Sequence, residues 1–215
     1  MGIKKGKQTI VFDDSVYIKN FFSSVGKLEG EGPLGKYFDV VYNDEYIEAK
    51  NWEQAENNIL KNTVTGAFAR AELTCNDIDY AFSGDLLNQC TASSFALKDM
   101  SIPYYGLYGA CSTMAESMAL GSVMVDALYG KNVLAVTSSH FCSSEKQYRF
   151  PLEYGGVRTP SAQWTVTGSG AVILTNEKSH IRVDSVTTGK MVDLGVTDSS
   201  NMGAAMAPVS VKLTP

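Results

Sequence analysis

Leu107-Tyr108-Gly109-Ala110-Cys111-Ser112-Thr113 decides the fold, because it joins a strand-like run, 103–108, to a helix-like run of small side chains, 112–129. Met114, Ala115, Ser117, Met118, Ala119, Leu120, Gly121, Met124, Ala127 and Leu128 leave little charge on any face. The pattern predicts a helix buried on most sides, ended by Gly130, with Lys131 beside its negative end. The Cys111 thiol falls in the first turn of that helix. There the positive end of the helix dipole and several unpaired N–H groups act together. They either stabilise a nucleophilic thiolate or hold a carboxylate or phosphate without chemistry. With Gly109 and Ala110 giving room for another group, the placement favours a site over an inert core cysteine.

Outward from this point the chain alternates strand-like and helix-like segments, the pattern of an α/β fold. Val133-Leu134-Ala135-Val136-Thr137 is a continuous apolar run suited to a buried parallel strand. It delivers Ser138, Ser139 and His140 at its C-terminal end, the edge where such sheets place ligands. A second strand, 78–82, stops at Ser83-Gly84-Asp85 on the same edge. Between 51 and 71, apolar residues recur every three or four positions from Trp52 to Ala71, predicting an amphipathic helix. Residues 91–100 read as a short helix, 9–12 as a strand, and the Gly-rich, acidic stretch 26–50 as a long loop. Residues 143–162 read as an irregular excursion. Strand signals return over 163–174, interrupted by Gly168-Ser169-Gly170, and again over 180–188. Residues 202–208 read as the approach to a further helix, and 209–215 carry no helical period.

The 215 residues, 44% hydrophobic, suffice for one large domain or two small ones. A formal charge of −5 offers no basic face to phosphates, so nucleic acid is not an expected partner. No apolar run forms a signal peptide or approaches a membrane span. Lys4, Lys5 and Lys7 read as a solvated cluster. Cys75, Cys90, Cys111 and Cys142 are scattered, with no metal-type spacing to His140 or His180, so reduced thiols and no metal site are expected.

His140 is the one histidine placed to act on Cys111, since neighbouring parallel strands end on one edge. His180 reads as structural or exposed. Asp85 orients a histidine, caps the following helix or solvates a turn; capping is the simplest use. Asn88 lies on the same strand-end loop. Arg149 and Arg158 are arginines of the type that clamps a carboxylate bidentately, although isolated loop arginines are commonly surface residues. Gly168-Ser169-Gly170 lacks both a dinucleotide fingerprint and a Walker lysine, so it predicts a bulge or a close backbone approach. No nucleophile elbow of the serine-hydrolase type is present.

Gly109-Ala110-Cys111-Ser112-Thr113, its small-residue helix and the later Gly168-Ser169-Gly170-Ala171-Val172 resemble the first half of thiolase-fold proteins. The resemblance implies a layered αβαβα arrangement, with a mixed sheet around a buried helix. Further motifs narrow it: Gly30-Glu31-Gly32-Pro33-Leu34-Gly35, Ala81-Phe82-Ser83-Gly84-Asp85-Leu86-Leu87-Asn88-Gln89, Thr137-Ser138-Ser139-His140, Arg149-Phe150-Pro151, Glu153-Tyr154-Gly155-Gly156 and Asp193-Leu194-Gly195-Val196-Thr197-Asp198. These are similar to the stage V sporulation AD family of that superfamily over about residues 6–208. Members continue through a second thiolase-like half. The expectation is therefore a chain truncated to residues 1–178 as the first half and 179–215 as the start of the second.

The family resemblance implies a non-enzymatic sporulation protein that binds dipicolinic acid (pyridine-2,6-dicarboxylate), alone or with calcium. It implies uptake of that ligand into the developing spore, and its release in germination. Membrane-embedded products of the same operon would be the partners, on the cytoplasmic side of the forespore inner membrane, with a homodimer where the second half is present. No cofactor is expected. The ligand site would comprise Cys111, His140, Ser139, Asp85, Asn88 and Arg149. The alternatives are a thiolase- or ketoacyl-synthase-like acyltransferase with Cys111 as nucleophile, and an inert fragment.

Overall fold

The computed structural model describes residues 2–149, 164–198, 203, 204, 206 and 207. Arg158, Tyr154 and the Glu153-Tyr154-Gly155-Gly156 motif lie outside the described residues, as does 209–215.

In chain order the elements are β1 (Ile3–Lys5), β2 (Thr9–Val11), β3 (Tyr17–Val25), α1 (Lys27–Gly30), β4 (Val40–Val41), α2 (Trp52–Ala71) and β5 (Tyr80–Gly84). There follow α3 (Thr91–Leu97), β6 (Tyr104–Gly106), α4 (Thr113–Asp126), β7 (Asn132–Ser139), β8 (Gly168–Thr175), β9 (Ile181–Arg182) and β10 (Ser185–Thr187). A mixed sheet of seven strands runs β4-β3-β8-β7-β5-β6, with β9 also paired to β3. The β5–β6 and β5–β7 pairs are parallel, whereas β8 is antiparallel to both β3 and β7. Consequently β3, β5 and β7 point the same way, and their C-terminal ends form one edge. A small antiparallel sheet, β1-β2-β10, lies apart.

Sequence chemistry explains the two layers on this sheet. The α2 face that carries Ala55, Ile59, Leu60, Val64, Ala67 and Phe68 is buried, as its spacing predicts. Leu60, Val64 and Phe68 pack with Leu134, Val136 and Ile173 of β7 and β8, joined by Ala96 and Leu97 of α3. Asn51 starts α2, its Oδ1 accepting from the Gln54 N–H at 2.9 Å, and Glu72 ends it in the left-handed region. The opposite sheet face packs Phe82, Val133 and Leu174 against Val125 of α4. Gly121 permits this approach, because a Cβ there would sit 2.7 Å from Leu174 Cδ1.

One strand falls where the sequence reads none, and three readings change. The nine-residue β3 spans a stretch with no clear period, because Lys19 and Asn20 interrupt it at an irregularity between Ile18 and Asn20. The stretch 26–50 is not a simple loop; it holds α1, a 3₁₀ turn at Gly35–Tyr37 and β4. Helix α4 buries only one face, with Ala115, Glu116 and Leu120 exposed. Its chain reversal falls at Leu128, which takes a positive φ of 61°, instead of at Gly130. Finally, Gly168-Ser169-Gly170 opens β8 in unbroken register with β3 and β7, so no bulge forms there.

Candidate functional site

The strand edge defined by β3, β5 and β7 opens into a pocket of about 610 Å³, within the range of small-molecule sites. Each wall follows from topology. Strand β3 contributes Ser23, Ser24 and Val25; the end of β5 contributes Gly84, Asp85 and Leu86; the end of β7 contributes Thr137, Ser138 and Ser139; and β8 begins the fourth wall with Gly168, Ser169 and Gly170. Ala110, Cys111, Thr113 and Met114 close it from the start of α4. Opposite them stand Glu29, Tyr148 and Trp164.

Cys111 lies in a 3₁₀ turn, Ala110–Ser112, that leads directly into α4. Ala110 holds a positive φ of 49°, a conformation a non-glycine residue adopts at some cost. Of the four free cysteines Cys111 alone is exposed. Ser112 precedes the helix without making a side-chain cap, and Glu116 occupies the first turn. Thr113 is buried, and its Oγ1 accepts from the Gly109 N–H at 3.1 Å.

Asp85 lines the same pocket, but its carboxylate is committed. Oδ2 accepts from the Ser93 N–H at 2.7 Å and the Ser93 hydroxyl at 2.6 Å, and Oδ1 accepts from the Leu87 N–H at 2.9 Å. The residue therefore caps α3. Burial pushes its pKa upward against those hydrogen bonds. Ser139 also lines the pocket, while its hydroxyl donates to the Val166 carbonyl at 2.6 Å.

Three expected site residues fall outside this pocket. His140 is fully buried; its Nε2 lies 2.7 Å from the Glu45 carbonyl oxygen, and its Nδ1 accepts from the Cys142 N–H at 3.1 Å. That pairing assigns the proton to Nε2 and spends both ring nitrogens on backbone groups, so the imidazole pins a loop and does not reach Cys111. Strand-end proximity placed it on the correct edge, but its side chain turns inward. Asn88 borders a smaller pocket of about 330 Å³ beside Cys90, Tyr104 and Tyr108. Arg149 follows the Lys146–Tyr148 turn whose Tyr148 lines the main pocket, without lining it itself.

Residues that the sequence reading passed over complete the site. Ser24 is buried on the pocket wall, with its hydroxyl unpartnered. Trp164 stacks on Phe141, ring centroids 3.9 Å apart and planes 6° from parallel, and its Nε1 donates to Glu29 Oε1 at 3.0 Å. Glu56, on the inner face of α2, receives hydrogen bonds from Ser138 and Ser143. Ser24 escaped because β3 had no readable period; Glu56 because a helical glutamate ordinarily reads as solvated. Among the described residues, no three His, Cys, Asp or Glu side chains are placed to hold a metal ion. Nor is any helix there long and apolar enough to cross a membrane.

A mixed sheet whose strand ends meet an exposed cysteine at a helix start defines the thiolase-like class. The 3-oxoacyl-[acyl-carrier-protein] synthase III from Aquifex aeolicus VF5 matches with a TM-score of 0.50 at 18% identity, over 76% of this chain and 55% of that one. A Xanthomonas campestris OleA structure matches with a TM-score of 0.52 at 12% identity, over 77% and 57%. At such identities the likeness establishes the fold alone. The particular family follows from sequence. The model of stage V sporulation protein AD matches residues 6–214. The Bacillus subtilis (strain 168) stage V sporulation protein AD is 42% identical over 205 residues, 95% of this chain. The chain belongs to the stage V sporulation protein AD family, and it spans 61% of the length of that relative.

Proposed function

We propose that this sporulation protein binds dipicolinate, alone or with calcium, and serves its uptake into the developing spore without catalysing a reaction on it. The observation that carries this reading is the pairing of His140: the imidazole spends both nitrogens on backbone groups, so among the described residues the histidine at this strand edge is not free to serve the pocket thiol as a base. What remains at the strand edge is a binding surface. A planar aromatic dianion suits it, because the start of α4 supplies positive dipole, Ser24 supplies an uncommitted hydroxyl, and Trp164 supplies an aromatic wall. Asp85 does not oppose this, since its carboxylate oxygens are taken up by the Ser93 and Leu87 donors. On this reading the protein works at the cytoplasmic side of the forespore inner membrane, with membrane-embedded products of its operon, and releases the ligand in germination. Calorimetric titration with dipicolinate, with and without calcium, is expected to give a saturable heat from folded protein; a flat titration removes the proposal.

The exposure of Cys111 beside the strained Ala110 favours one competing use, acyl transfer through the thiol. Incubation with acyl-CoA followed by intact mass measurement separates the two. The binding reading expects no covalent acyl adduct on Cys111, and a rapidly formed adduct would replace it with an acyltransferase.

A further inference from the structure

The pocket described above has a carboxyl group behind its wall. Glu56 has no exposed surface. Ser138 Oγ donates to its Oε1 at 3.1 Å, and Ser143 Oγ donates to its Oε2 at 2.6 Å. Ser138 itself lines the pocket, so a single residue separates the buried carboxyl from anything the cavity holds.

The surroundings favour a proton over a charge. Burial raises the Glu56 pKa to about 7, with the Ser143 and Ser138 hydrogen bonds pulling the other way. The charges that face it are carboxylates: Asp85 at the end of β5 and Glu53 one turn earlier on α2, both of which raise it further. Helix α3 and strands β7 and β8 carry no charged side chain. The cation of β3, Lys19, is paired with Glu177 at the far end of that strand, at 2.6 Å. His140, in the loop that carries Ser143, turns its ring nitrogens to the Glu45 carbonyl and the Cys142 N–H.

Resting on the dipicolinate reading, we propose that Glu56 links pocket occupancy to proton uptake: an anion entering the cavity draws a proton from solvent onto the Glu56 carboxylate. Two effects act in the same direction. A negative charge across Ser138 disfavours a second negative charge in a poorly solvated interior. Protonation also reverses one hydrogen bond, because the carboxylic acid O–H becomes a donor to a serine oxygen. The hydrogen that Ser138 gave to the ionised carboxylate is then free for another acceptor. Glu56 touches no ligand in this scheme and is a positioning residue.

The test is calorimetric titration of the full chain with dipicolinate at matched pH in phosphate and in Tris, whose different ionisation heats reveal the protons exchanged. A tenfold rise in the proton affinity of Glu56 takes up about 0.4 proton per ligand at about pH 8. Uptake should fade at lower pH, where Glu56 is already protonated, and affinity should fall as the pH rises through the Glu56 pKa. Glu56→Gln should abolish the uptake and flatten the pH profile. Ser143→Ala removes a hydrogen bond that favours the charged form, and should move the uptake maximum to higher pH. Equal heats in the two buffers, uptake retained by Glu56→Gln, or an unmoved maximum in Ser143→Ala each overturns the linkage while leaving the ligand intact. Absence of saturable heat at every pH overturns the ligand reading and the linkage with it.

Discussion

A carboxyl group with no exposed surface and only hydroxyl partners, as at Glu56, has a thermodynamic signature in the unliganded protein. Its folded pKa of about 7 exceeds the ordinary value of 4.5. Between those values the folded state keeps a proton that the unfolded chain has released. The Glu56 contribution to stability is therefore greatest below about pH 4.5, falls as the pH rises, and is lost, by about 3 kcal/mol, above the folded pKa. Glu56→Gln should raise the denaturant midpoint over the parent at pH 8 and change it little at pH 4. An equal change at both values would show that the carboxyl does not titrate as described. The same residue shows what sequence conveys at this scale. Cys111, Asp85 and Ser139 were placed on the pocket by their positions at strand ends and a helix start, which are backbone facts. His140 met the same criterion, yet it faces Glu45 and Cys142. Direction is a tertiary property: a side chain one residue past a strand turns toward whichever buried group completes its hydrogen bonds.

Among the elements, α2 and β7 were legible because each has one strong period and clean punctuation: Asn51 caps the first, and the second is an uninterrupted apolar run. Strand β3 was not, since Lys19 and Asn20 break its alternation and its partners β8 and β9 come more than a hundred residues later. The join between elements matters as much as the elements. Gly84 ends β5 where a Cβ would overlap the Leu107 carbonyl and come within 2.7 Å of Thr113 Cγ2. Gly84→Ala should therefore force the strand end and the start of α4 apart, destabilising the protein by about 3 kcal/mol. Chemical denaturation measures that cost, and a variant as stable as the parent would mean that the two elements are free to separate.

At the scale of the molecule, the layered α/β arrangement was legible through the thiolase-like resemblance, and the sheet order, fold neighbours and family agree with it. The degree of burial of α4 was not legible. Small, soft residues tell which surfaces tolerate burial, whereas coverage depends on a layer on each side, and among the described residues only the inner face of α4 meets the sheet. The stacking of Trp164 on Phe141 has an optical consequence. The chain has two tryptophans; Trp52 is half-exposed against Tyr46 at the start of α2, and Trp164 stands on the pocket wall. In a Trp52→Phe background all indole emission comes from Trp164, and an aromatic dianion entering the pocket should quench or shift it in proportion to occupancy. An emission spectrum indifferent to saturating dipicolinate would place the ligand elsewhere. The indole that completes the wall thus makes the protein its own fluorescent gauge of filling, readable in stopped flow without any label.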